Sequence, residues 1–433
     1  MRLKTFDAAK DQALIGEILD RNQLEFAEIN QSVAHILSNV RRAKDQAVRK
    51  YTQEFDGVLL EDFLVSSDEI DEALNKIDPE LKADLEKAKA NIENFHRRQL
   101  RESYFIREAD LTLGQLIRPI EKVGIYVPGG SAAYPSTVLM NALPAKIAGV
   151  EEIVMVSPPN RQGKIKASIL VAAAIAGVDR IFKVGGAQGI AALAYGTESI
   201  PKVDKITGPG NIYVSMAKKQ LTGFVGIDLI AGPSEILIIA DQGANPRYIA
   251  ADLISQAEHD ELAAAILVTD YPPLADQVRR ELERQVKVLD RKEIIEKALN
   301  NYGAIVITTS LAEAVKVANE IAPEHLEILT EDPFAVYEQI KNAGAIFLGE
   351  YSPEPAGDYF AGTNHTLPTS STARFSSPLS VDDFIKKTSL VYYSKEALSK
   401  AKSSIVRIAE EEGLTGHANS VKVRFDDEEE VKA

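Results

Sequence analysis

Short β-rich runs alternate with helix-length segments over the middle of the chain, and this alternation limits the folds that are available to it. The runs are Val123–Val127, Ile153–Val156, Ile181–Val184, Glu235–Ala240, Ala264–Thr269, Ala304–Thr308, Leu326–Leu329 and Ala345–Leu348. Strands that are separated by helix-length segments form βαβ units, in which the strands lie parallel. The sequence therefore predicts an α/β fold with mainly parallel sheets.

The chain has 433 residues, which is too long for one hydrophobic core, so two large domains are expected. Before the first run, from about Ala13 to Arg101, apolar residues recur at three- and four-residue spacing, and this predicts helices. Ala231–Pro233 interrupts two apolar runs and is a candidate crossover between domains. From about Ser380 onward, the sequence predicts a small helical tail.

Composition excludes several classes of function. A formal net charge of -15 argues against a nucleic-acid-binding surface, because neutralising phosphates needs clustered Lys and Arg. The chain has no cysteine, which excludes disulfides, thiolate metal ligands and a cysteine nucleophile. The first residues lack an apolar signal core, and the longest apolar stretch, Ile169–Val178, is far shorter than the roughly 20 residues that span a bilayer. We therefore expect a soluble protein of the cytoplasm.

Loops rich in glycine and proline follow several of the predicted strands. They are Val127–Ser131, Gly185–Gln188 and Gly208–Asn211. No G-x-G-x-x-G fingerprint follows a strand, but each loop places backbone amides near a predicted helix start, where an anion is favoured. A tight strand-to-helix turn explains any one of these loops. Three in succession favour a ligand crevice at the carboxyl ends of the strands.

Four of the six histidines lie in loop-like or strand-end contexts beside carboxylates. The other two, His35 and His96, are interpreted as packed or solvated helix residues. In Ser255–Asp260, helical spacing would put Gln256 and His259 on one face, as a partial site for a metal such as Zn²⁺. An ordinary polar helix end explains this hexapeptide equally well.

Two further segments combine a carboxylate with a histidine. Glu324 and His325 come just before an apolar strand and offer two proton-transfer groups near neutral pH, although an exposed loop pair would have the same sequence. Asp358 and His365 lie in a long connection rich in Pro, Ser, Thr and Gly. Long loops in compact enzymes tend to be functional, which makes both residues candidates.

The last candidate segment, Glu411–His417, lies near the end of the chain. A helix that ends at Gly413 explains it without any function, because glycine is the usual residue just past a helix end. By spacing alone, none of these segments is as specific as a pair of CxxC motifs would be for zinc.

Together, these segments resemble histidinol dehydrogenase over essentially the whole chain. The matching motifs, in the family's order and approximate spacing, are Gly124–Gly130, Asp204–Asn211, Ala231–Glu235, Ser255–Asp260, Ala322–His325 and His417. Jointly they are highly specific, although each alone is not. The resemblance implies a zinc-dependent enzyme that oxidises L-histidinol through L-histidinaldehyde to L-histidine with two NAD⁺.

The resemblance also implies roles for individual residues. The implied ligands of one Zn²⁺ per subunit are Gln256, His259, Asp358 and His417, the last coming from the partner subunit. The implied proton-transfer pair is Glu324 and His325. The implied NAD contacts are Tyr126, Gln188 and Asn211. The implied substrate contacts are Ser234, Glu412, the four metal ligands and His325, with His365 as a further candidate.

The fold that the resemblance implies has two large Rossmann-like domains, one inserted into the other. The implied bounds are 1–22 for an N-terminal helical arm, 23–125 and 234–379 for a catalytic and metal-binding domain, 126–233 for the inserted NAD-binding domain, and 380–433 for the helical tail. The implied assembly is a homodimer with swapped tails and shared active sites. Its expected partner is therefore a second copy of the chain, besides the small-molecule substrate.

Two alternative functions remain open at this point. A related zinc- and NAD-dependent alcohol dehydrogenase would act on another polar alcohol, such as a sulfonated diol. Glu412 favours a substrate with an amine over that one, because a carboxylate repels a sulfonate. A non-catalytic module that binds a nucleotide would leave the four implied metal ligands unexplained as a set.

Overall fold

The computed structural model describes residues 3–8, 27–129 and 133–426. Its strands are β1 (Lys4–Asp7), β2 (Tyr104–Arg107), β3 (Leu111–Pro119), β4 (Lys122–Tyr126), β5 (Glu152–Ser157), β6 (Arg180–Lys183), β7 (Lys205–Thr207), β8 (Gly226–Ile227), β9 (Glu235–Ala240), β10 (Ala264–Thr269), β11 (Gly303–Ile307), β12 (His325–Leu329), β13 (Ala345–Leu348) and β14 (Ile385–Tyr393). Its α-helices are Ala27–Asp56, Ser67–Lys76, Pro79–His96, Pro135–Ala148, Ala167–Ala176, Gly186–Tyr195, Ile212–Leu221, Pro246–Ala257, Pro272–Gln285, Lys292–Tyr302, Leu311–Ile321, Pro333–Tyr337, Glu354–Ala356, Lys395–Glu411 and Thr415–Lys422. No helix within these ranges is long and apolar enough to cross a membrane.

The chain divides into two compact units. One comprises residues Met1–Leu100 and Ile120–Phe384, and the other comprises Arg101–Pro119 and Ile385–Ala433. The first unit contains a five-stranded sheet in the order β6-β5-β4-β7-β8 and a six-stranded sheet in the order β1-β11-β10-β9-β12-β13. All neighbouring strands in these two sheets are parallel, which confirms the predicted α/β fold with mainly parallel sheets.

Helices cover both faces of the six-stranded sheet, because successive side chains of its strands point to opposite faces. Ile236 and Ile238 of β9 pack on one face with the helices Pro246–Ala257 and Pro272–Gln285. Leu237 of β9 packs on the other face, with the helix Leu311–Ile321. Such two-sided burial explains why the strands appear in the sequence as continuous apolar runs.

The five-stranded sheet is buried in the same way. Val154 and Val156 of β5 pack with the helices Ala27–Asp56 and Gly186–Tyr195 on one face. Ile153 of β5 lies in a separate core with the helices on the opposite face. Because its last strand, β8, is followed closely by β9, a short crossover at residues 228–234 connects the two parallel sheets of this unit.

The second unit contains an antiparallel sheet in the order β14-β3-β2. The segment that was predicted as a helical tail therefore includes a nine-residue strand, β14, before its helices Lys395–Glu411 and Thr415–Lys422. Seven of the nine residues of β14 are exposed, so its sequence lacks the alternation of buried and exposed positions that would indicate a strand. This strand is stabilised by its pairing with β3, which lies far away in the sequence.

The predicted strands of the first unit are all present, with ends that differ by one or two residues at most. Helices also occupy most of the stretch between residues 27 and 96, as expected. Of the predicted N-terminal arm at 1–22, only residues 3–8 are described, and they include β1 rather than a helix. The remaining domain bounds stay predictions.

Candidate functional site

Glu324 and His325 lie buried at the amino end of β12, next to the amino end of β9. The Oε2 atom of Glu324 accepts a hydrogen bond of 2.8 Å from the backbone N–H of Glu235. His325 Nδ1 donates to the carbonyl oxygen of the same Glu235 at 2.9 Å. Main-chain atoms of one residue therefore orient both side chains, and Glu324 Oε2 lies 3.6 Å from His325 Nδ1.

His325 is surrounded by carboxylates. Its Nε2 atom lies 3.7 Å from Asp358 Oδ1 and has no hydrogen-bond partner among the described residues. Burial by itself lowers the pKa of His325, but the charges of Glu324, Asp358 and Glu354 outweigh it and raise this pKa to about 10. Burial raises the pKa of Glu324 to about 8. Without a bound cation, His325 therefore stays protonated at neutral pH, while Glu324 has a pKa close enough to neutrality to exchange protons there.

The predicted ligands Gln256 and His259 lie at the end of the helix Pro246–Ala257. Gln256 is 1% exposed, and its Oε1 atom is buried without a hydrogen-bond partner in the described part of the chain. His259 follows in a turn in which its N–H donates to Gln256 O at 3.2 Å. Burial lowers the pKa of His259, although Asp358 opposes the shift, so its imidazole is neutral and able to bind a metal.

Asp358 connects the predicted ligands to Glu324 and His325. It acts electrostatically on both His259 and His325. Ligand atoms of Asp358, Glu354 and His325 lie within 4.8 Å of one another. A buried amide oxygen without a partner, neutral imidazole and ionised carboxylate together make a donor set of nitrogen and oxygen that suits Zn²⁺, and also Mn²⁺ or Co²⁺.

Buried carboxyl groups that sequence reasoning missed lie behind this cluster. Glu354 Oε2 accepts a hydrogen bond from Ser255 Oγ at 3.1 Å. Glu327 Oε1 accepts one from Glu354 N at 2.8 Å, and the side chain of Asp252 lies beside Glu327. Burial raises the pKa of Glu354 to about 7. A glutamate inside the apolar strand β12, at position 327, was the signal that could have revealed this network.

The predicted NAD contacts lie at the carboxyl ends of β4, β6 and β7 or just beyond them. Tyr126 Oη accepts a hydrogen bond of 3.2 Å from Gly186 N. Gln188, in the first turn of the helix Gly186–Tyr195, is 1% exposed, and its Oε1 atom lacks a partner among the described residues. Asn211 is exposed and caps the helix Ile212–Leu221 through hydrogen bonds from the N–H groups of its first turn. The structure thus brings the ends of β4, β6 and β7 to one edge of the sheet, while Gly130 and Ser131 of the first predicted loop lie outside the described residues.

The predicted substrate contacts are divided between the two units. Ser234 is half-buried and directly precedes β9. His365 Nδ1 donates to Asp358 O at 3.1 Å, so His365 lies against the segment of the predicted ligand Asp358. Glu412 and His417 are exposed residues of the second unit, at the end of one helix and in the next. The roles of all four residues stay predictions.

A cavity of about 410 Å³ opens beside His259. Its wall includes the aromatic rings of Tyr134 and Tyr359 and the guanidinium-bearing residue Arg291, whose side chain donates to His259 O at 3.4 Å. A space of this size suits a small molecule that bears one ring. The cavity can therefore hold a small polar molecule beside the predicted ligand His259.

Comparison with known proteins identifies relatives along nearly the whole chain. A family model described as histidinol dehydrogenase matches residues 19–425. Histidinol dehydrogenase of Clostridium acetobutylicum is 56% identical over 422 residues, covering 96% of this chain and 98% of that relative. The one from Caldanaerobacter subterraneus is 55% identical over 427 residues, covering 98% and 99%. The crystal structure of histidinol dehydrogenase from Elizabethkingia anophelis matches with a TM-score of 0.92 at 39% identity, covering 98% of each chain.

Proposed function

The chain belongs to the histidinol dehydrogenase family and is an oxidoreductase, and from this premise we propose that it oxidises L-histidinol through L-histidinaldehyde to L-histidine with two NAD⁺. These are the last steps of histidine biosynthesis, and we propose that they take place in the cytoplasm. The observation that supports the proposal most directly is the attachment of Glu324 and His325 to the main chain of Glu235, with Asp358 Oδ1 3.7 Å from His325 Nε2.

Gln256, His259 and Asp358 would hold one zinc ion, with His417 of the partner subunit as a fourth ligand. When bound, the ion supplies a fixed anchor for the amine and imidazole nitrogens of histidinol, so that its contribution is mainly positional. A cation held by Asp358 would also offset part of the negative charge that raises the pKa of His325. That imidazole would then become a proton acceptor closer to neutral pH.

His325 would take the hydroxyl proton in the first oxidation. Its Nδ1–H donates a hydrogen bond to Glu235 O. This bond fixes the tautomer and leaves Nε2 as the atom that accepts the proton. NAD⁺ supplies the hydride acceptor in each of the two oxidations. Tyr126, Gln188 and Asn211 would bind it at the carboxyl edge of the five-stranded sheet.

Glu324 would activate water in the second oxidation. Many aldehyde oxidations proceed through a thiohemiacetal on a cysteine, but this chain has no cysteine to form one. Addition of water to the bound aldehyde gives a gem-diol instead, from which His325 would again take a proton. A carboxyl group whose pKa is about 8 is well matched to accepting the proton of water near neutral pH.

The second unit would complete the site of a partner in a domain-swapped homodimer. Its sheet exposes large apolar side chains, with Tyr104 55%, Val391 67% and Tyr392 58% exposed. Clustered apolar exposure of this kind commonly marks a protein interface. In the dimer, Glu412 of the partner subunit would pair with the substrate ammonium, while Ser234 and His365 would contact the substrate from the first unit.

An assay of two alcohols tests the substrate assignment. The zinc-loaded protein is given L-histidinol or a sulfonated propanediol with NAD⁺, and NADH is followed together with the products. We expect two NADH for each histidine formed and negligible turnover of the sulfonated diol. A higher kcat/KM on the diol, or one NADH per alcohol with accumulation of the aldehyde, would contradict the proposal.

Mixing two inactive variants tests the shared site. His325→Ala removes the base of one active site, and His417→Ala removes the ligand that each subunit would donate to its partner. Heterodimers that contain one chain of each kind have one intact site, so activity should return to about half of the wild-type value per such dimer. Heterodimers that form but show no activity would exclude the swapped arrangement.

A further inference from the structure

A buried ion pair lies beneath the glycine loop that follows β7. Lys218 of the helix Ile212–Leu221 pairs with Asp228, which follows β8, and their side chains are only 4% and 1% exposed. Removing two charges from water is costly, and a buried ion pair often stabilises a fold no better than apolar residues would. The pair therefore calls for an explanation other than stability.

Both members of the pair bind the same residue of the loop. Asp228 Oδ2 accepts a hydrogen bond of 2.7 Å from Gly208 N, and Lys218 Nζ donates to Gly208 O at 3.0 Å. The N–H and the C=O of Gly208 are thus held by opposite charges, and hydrogen bonds to charged groups are the stronger kind. The position of the loop backbone is fixed from both sides.

Gly208 in turn lies against Tyr126. Its φ of +114° belongs to the region that glycine favours, and a Cβ atom at this position would lie 2.1 Å from the carbonyl oxygen of Tyr126. The close approach places the loop Gly208–Asn211 beside Tyr126. The Lys218–Asp228 ion pair thereby sets the distance between two segments that are proposed to bind NAD⁺.

The same ion pair is connected to the catalytic residues through the crossover between the sheets. Asp228 begins this crossover, and Ser215 Oγ from the helix of Lys218 donates to Ala231 O within it at 3.0 Å. The crossover ends at Glu235, whose main chain binds Glu324 and His325. The nucleotide loop and the proton-transfer pair are therefore attached to opposite ends of one short segment.

We propose that Lys218 and Asp228 are positioning residues for NAD⁺, which hold the loop Gly208–Asn211 so that its amides and the helix start behind it receive the pyrophosphate. Lys218 also neutralises Asp228, so the loop is not backed by a bare carboxylate that would repel phosphate. The proposal rests on the proposed use of a nicotinamide dinucleotide. It assigns a role to Lys218 and Asp228, which a list of substrate and cofactor contacts would not include.

A lysine at the end of a strand in the five-stranded sheet provides a control. Lys183, the last residue of β6, pairs with Glu69 of the helix Ser67–Lys76 at 3.1 Å, and their side chains are 11% and 22% exposed. This ion pair also joins a lysine to a carboxylate, although it is less deeply buried, and it binds a helix rather than a glycine loop. Lys183→Met therefore shows how far NADH binding and the KM values change when any partly buried lysine is lost.

The test compares zinc-loaded wild type, Lys218→Met, Asp228→Asn and Lys183→Met. NADH titration gives the dissociation constant, and steady-state kinetics give KM separately for NAD⁺ and for histidinol. Loss of one charged partner should weaken NADH binding and raise the KM for NAD⁺ about tenfold. The KM for histidinol and the zinc content should stay within about twofold of wild type, as should all values for Lys183→Met.

The variants also separate positioning from folding. Asp228→Asn keeps an oxygen that can accept from Gly208 N, so its effect should be smaller than that of Asp228→Ala. If Lys218→Met does not fold, the double variant Lys218→Met/Asp228→Asn removes both charges and is measured in its place. Unchanged NADH binding in the folded variants, or equal increases in both KM values, would overturn the inference. A wild type that binds no NADH would instead contradict the proposed function.

Discussion

In the five-stranded sheet, the candidate binding groups lie where strands end: Tyr126 ends β4, and Gly208 follows β7. In the six-stranded sheet they lie where strands begin, with Glu235 opening β9 and His325 opening β12. Parallel α/β sheets usually bind ligands at the carboxyl ends of their strands. Only the five-stranded sheet follows that pattern. This difference indicates that the two sheets favour different kinds of ligand.

Helix direction explains the difference. At the carboxyl edge of the five-stranded sheet, helices such as Gly186–Tyr195 and Ile212–Leu221 begin, and a helix start favours anions such as the phosphates of a dinucleotide. At the amino edge of the six-stranded sheet, the helices Pro246–Ala257 and Leu311–Ile321 end. A helix end favours cations, which suits a metal ion and a protonated imidazole. One edge therefore favours an anion, and the other favours a cation.

The largest expected effect separates chemistry from nucleotide binding. His325→Asn removes the proposed proton acceptor at the amino edge but leaves the carboxyl edge of the other sheet untouched. We expect kcat to fall about 1,000-fold, because general acid–base catalysis contributes on this scale. The NADH dissociation constant should be unchanged in the same variant. A loss of less than tenfold in kcat would show that His325 is not the base.

The next largest effect is expected on nucleotide binding, while the amino edge of the six-stranded sheet is left unchanged. In Gly208→Ala, the new methyl group would collide with the carbonyl oxygen of Tyr126, and the backbone would be strained at its positive φ. NADH binding should weaken about 100-fold, which corresponds to the energy of such strain. Zinc content, measured by atomic absorption, should match wild type. Loss of zinc together with NADH would show that the two edges are not independent.

Stability as a function of pH tests the acidic character of the amino edge. In the folded metal-free protein, Glu354 and Glu324 have pKa values raised to about 7 and about 8, and that of His325 is raised to about 10. Between pH 6.5 and 8 the folded state therefore binds more protons than the unfolded chain does. The free energy of unfolding should fall by about 4 kcal/mol as pH rises through this range.

The lowered pKa values of His259 and His365 act in the opposite direction, but only below pH 6.5. Urea denaturation of the chelated protein at several pH values measures the trend. Added zinc should restore stability, and more of it at the higher pH, because protons no longer compete for the carboxylates. A flat profile would mean that the buried acids are ionised at all these pH values.

The smallest effect is expected at the start of one helix. Asn211 Oδ1 accepts from Tyr213 N and Val214 N, and loss of such a cap costs about 1 kcal/mol. Asn211→Ala should therefore weaken NADH binding about fivefold through the cap, and further if the side chain contacts NAD⁺ directly. Asn211→Asp, which keeps the cap and adds a negative charge near the phosphates, separates the two contributions. Unaltered binding in both variants would remove Asn211 from the site.

Much of the fold could be predicted because local sequence determines it. The strands from β9 to β13 are apolar runs bounded by turn residues, and their periodicity is visible without any tertiary contact. The sheet of β2, β3 and β14 was not predicted, because β3 and β14 are stabilised by pairing with each other across most of the chain. β7 was also missed, since three residues give too little periodicity.

The candidate site could be predicted where residues with suitable side-chain chemistry stand together in a short motif. Glu324, His325, Gln256 and His259 stand in such motifs. Glu354 and the Lys218–Asp228 ion pair were not found, because nothing in their local sequence shows that they are buried or what they contact. Burial of a charge depends on packing between distant segments, and only the folded structure reveals it.

The attachment of Glu324 and His325 to the main chain of Glu235 has a genetic consequence. Every amino acid except proline offers the same peptide N–H and C=O, so missense changes at this codon leave both attachments available. Insertion or deletion of one residue in the crossover before β9 would place a different peptide group opposite Glu324 and His325. It would also reverse which side chains of the strand point to each face of the sheet. A missense change at this codon would still lose the hydrogen bond that the Glu235 side chain accepts from Ser370 N, whereas a change of length would displace both attachments together.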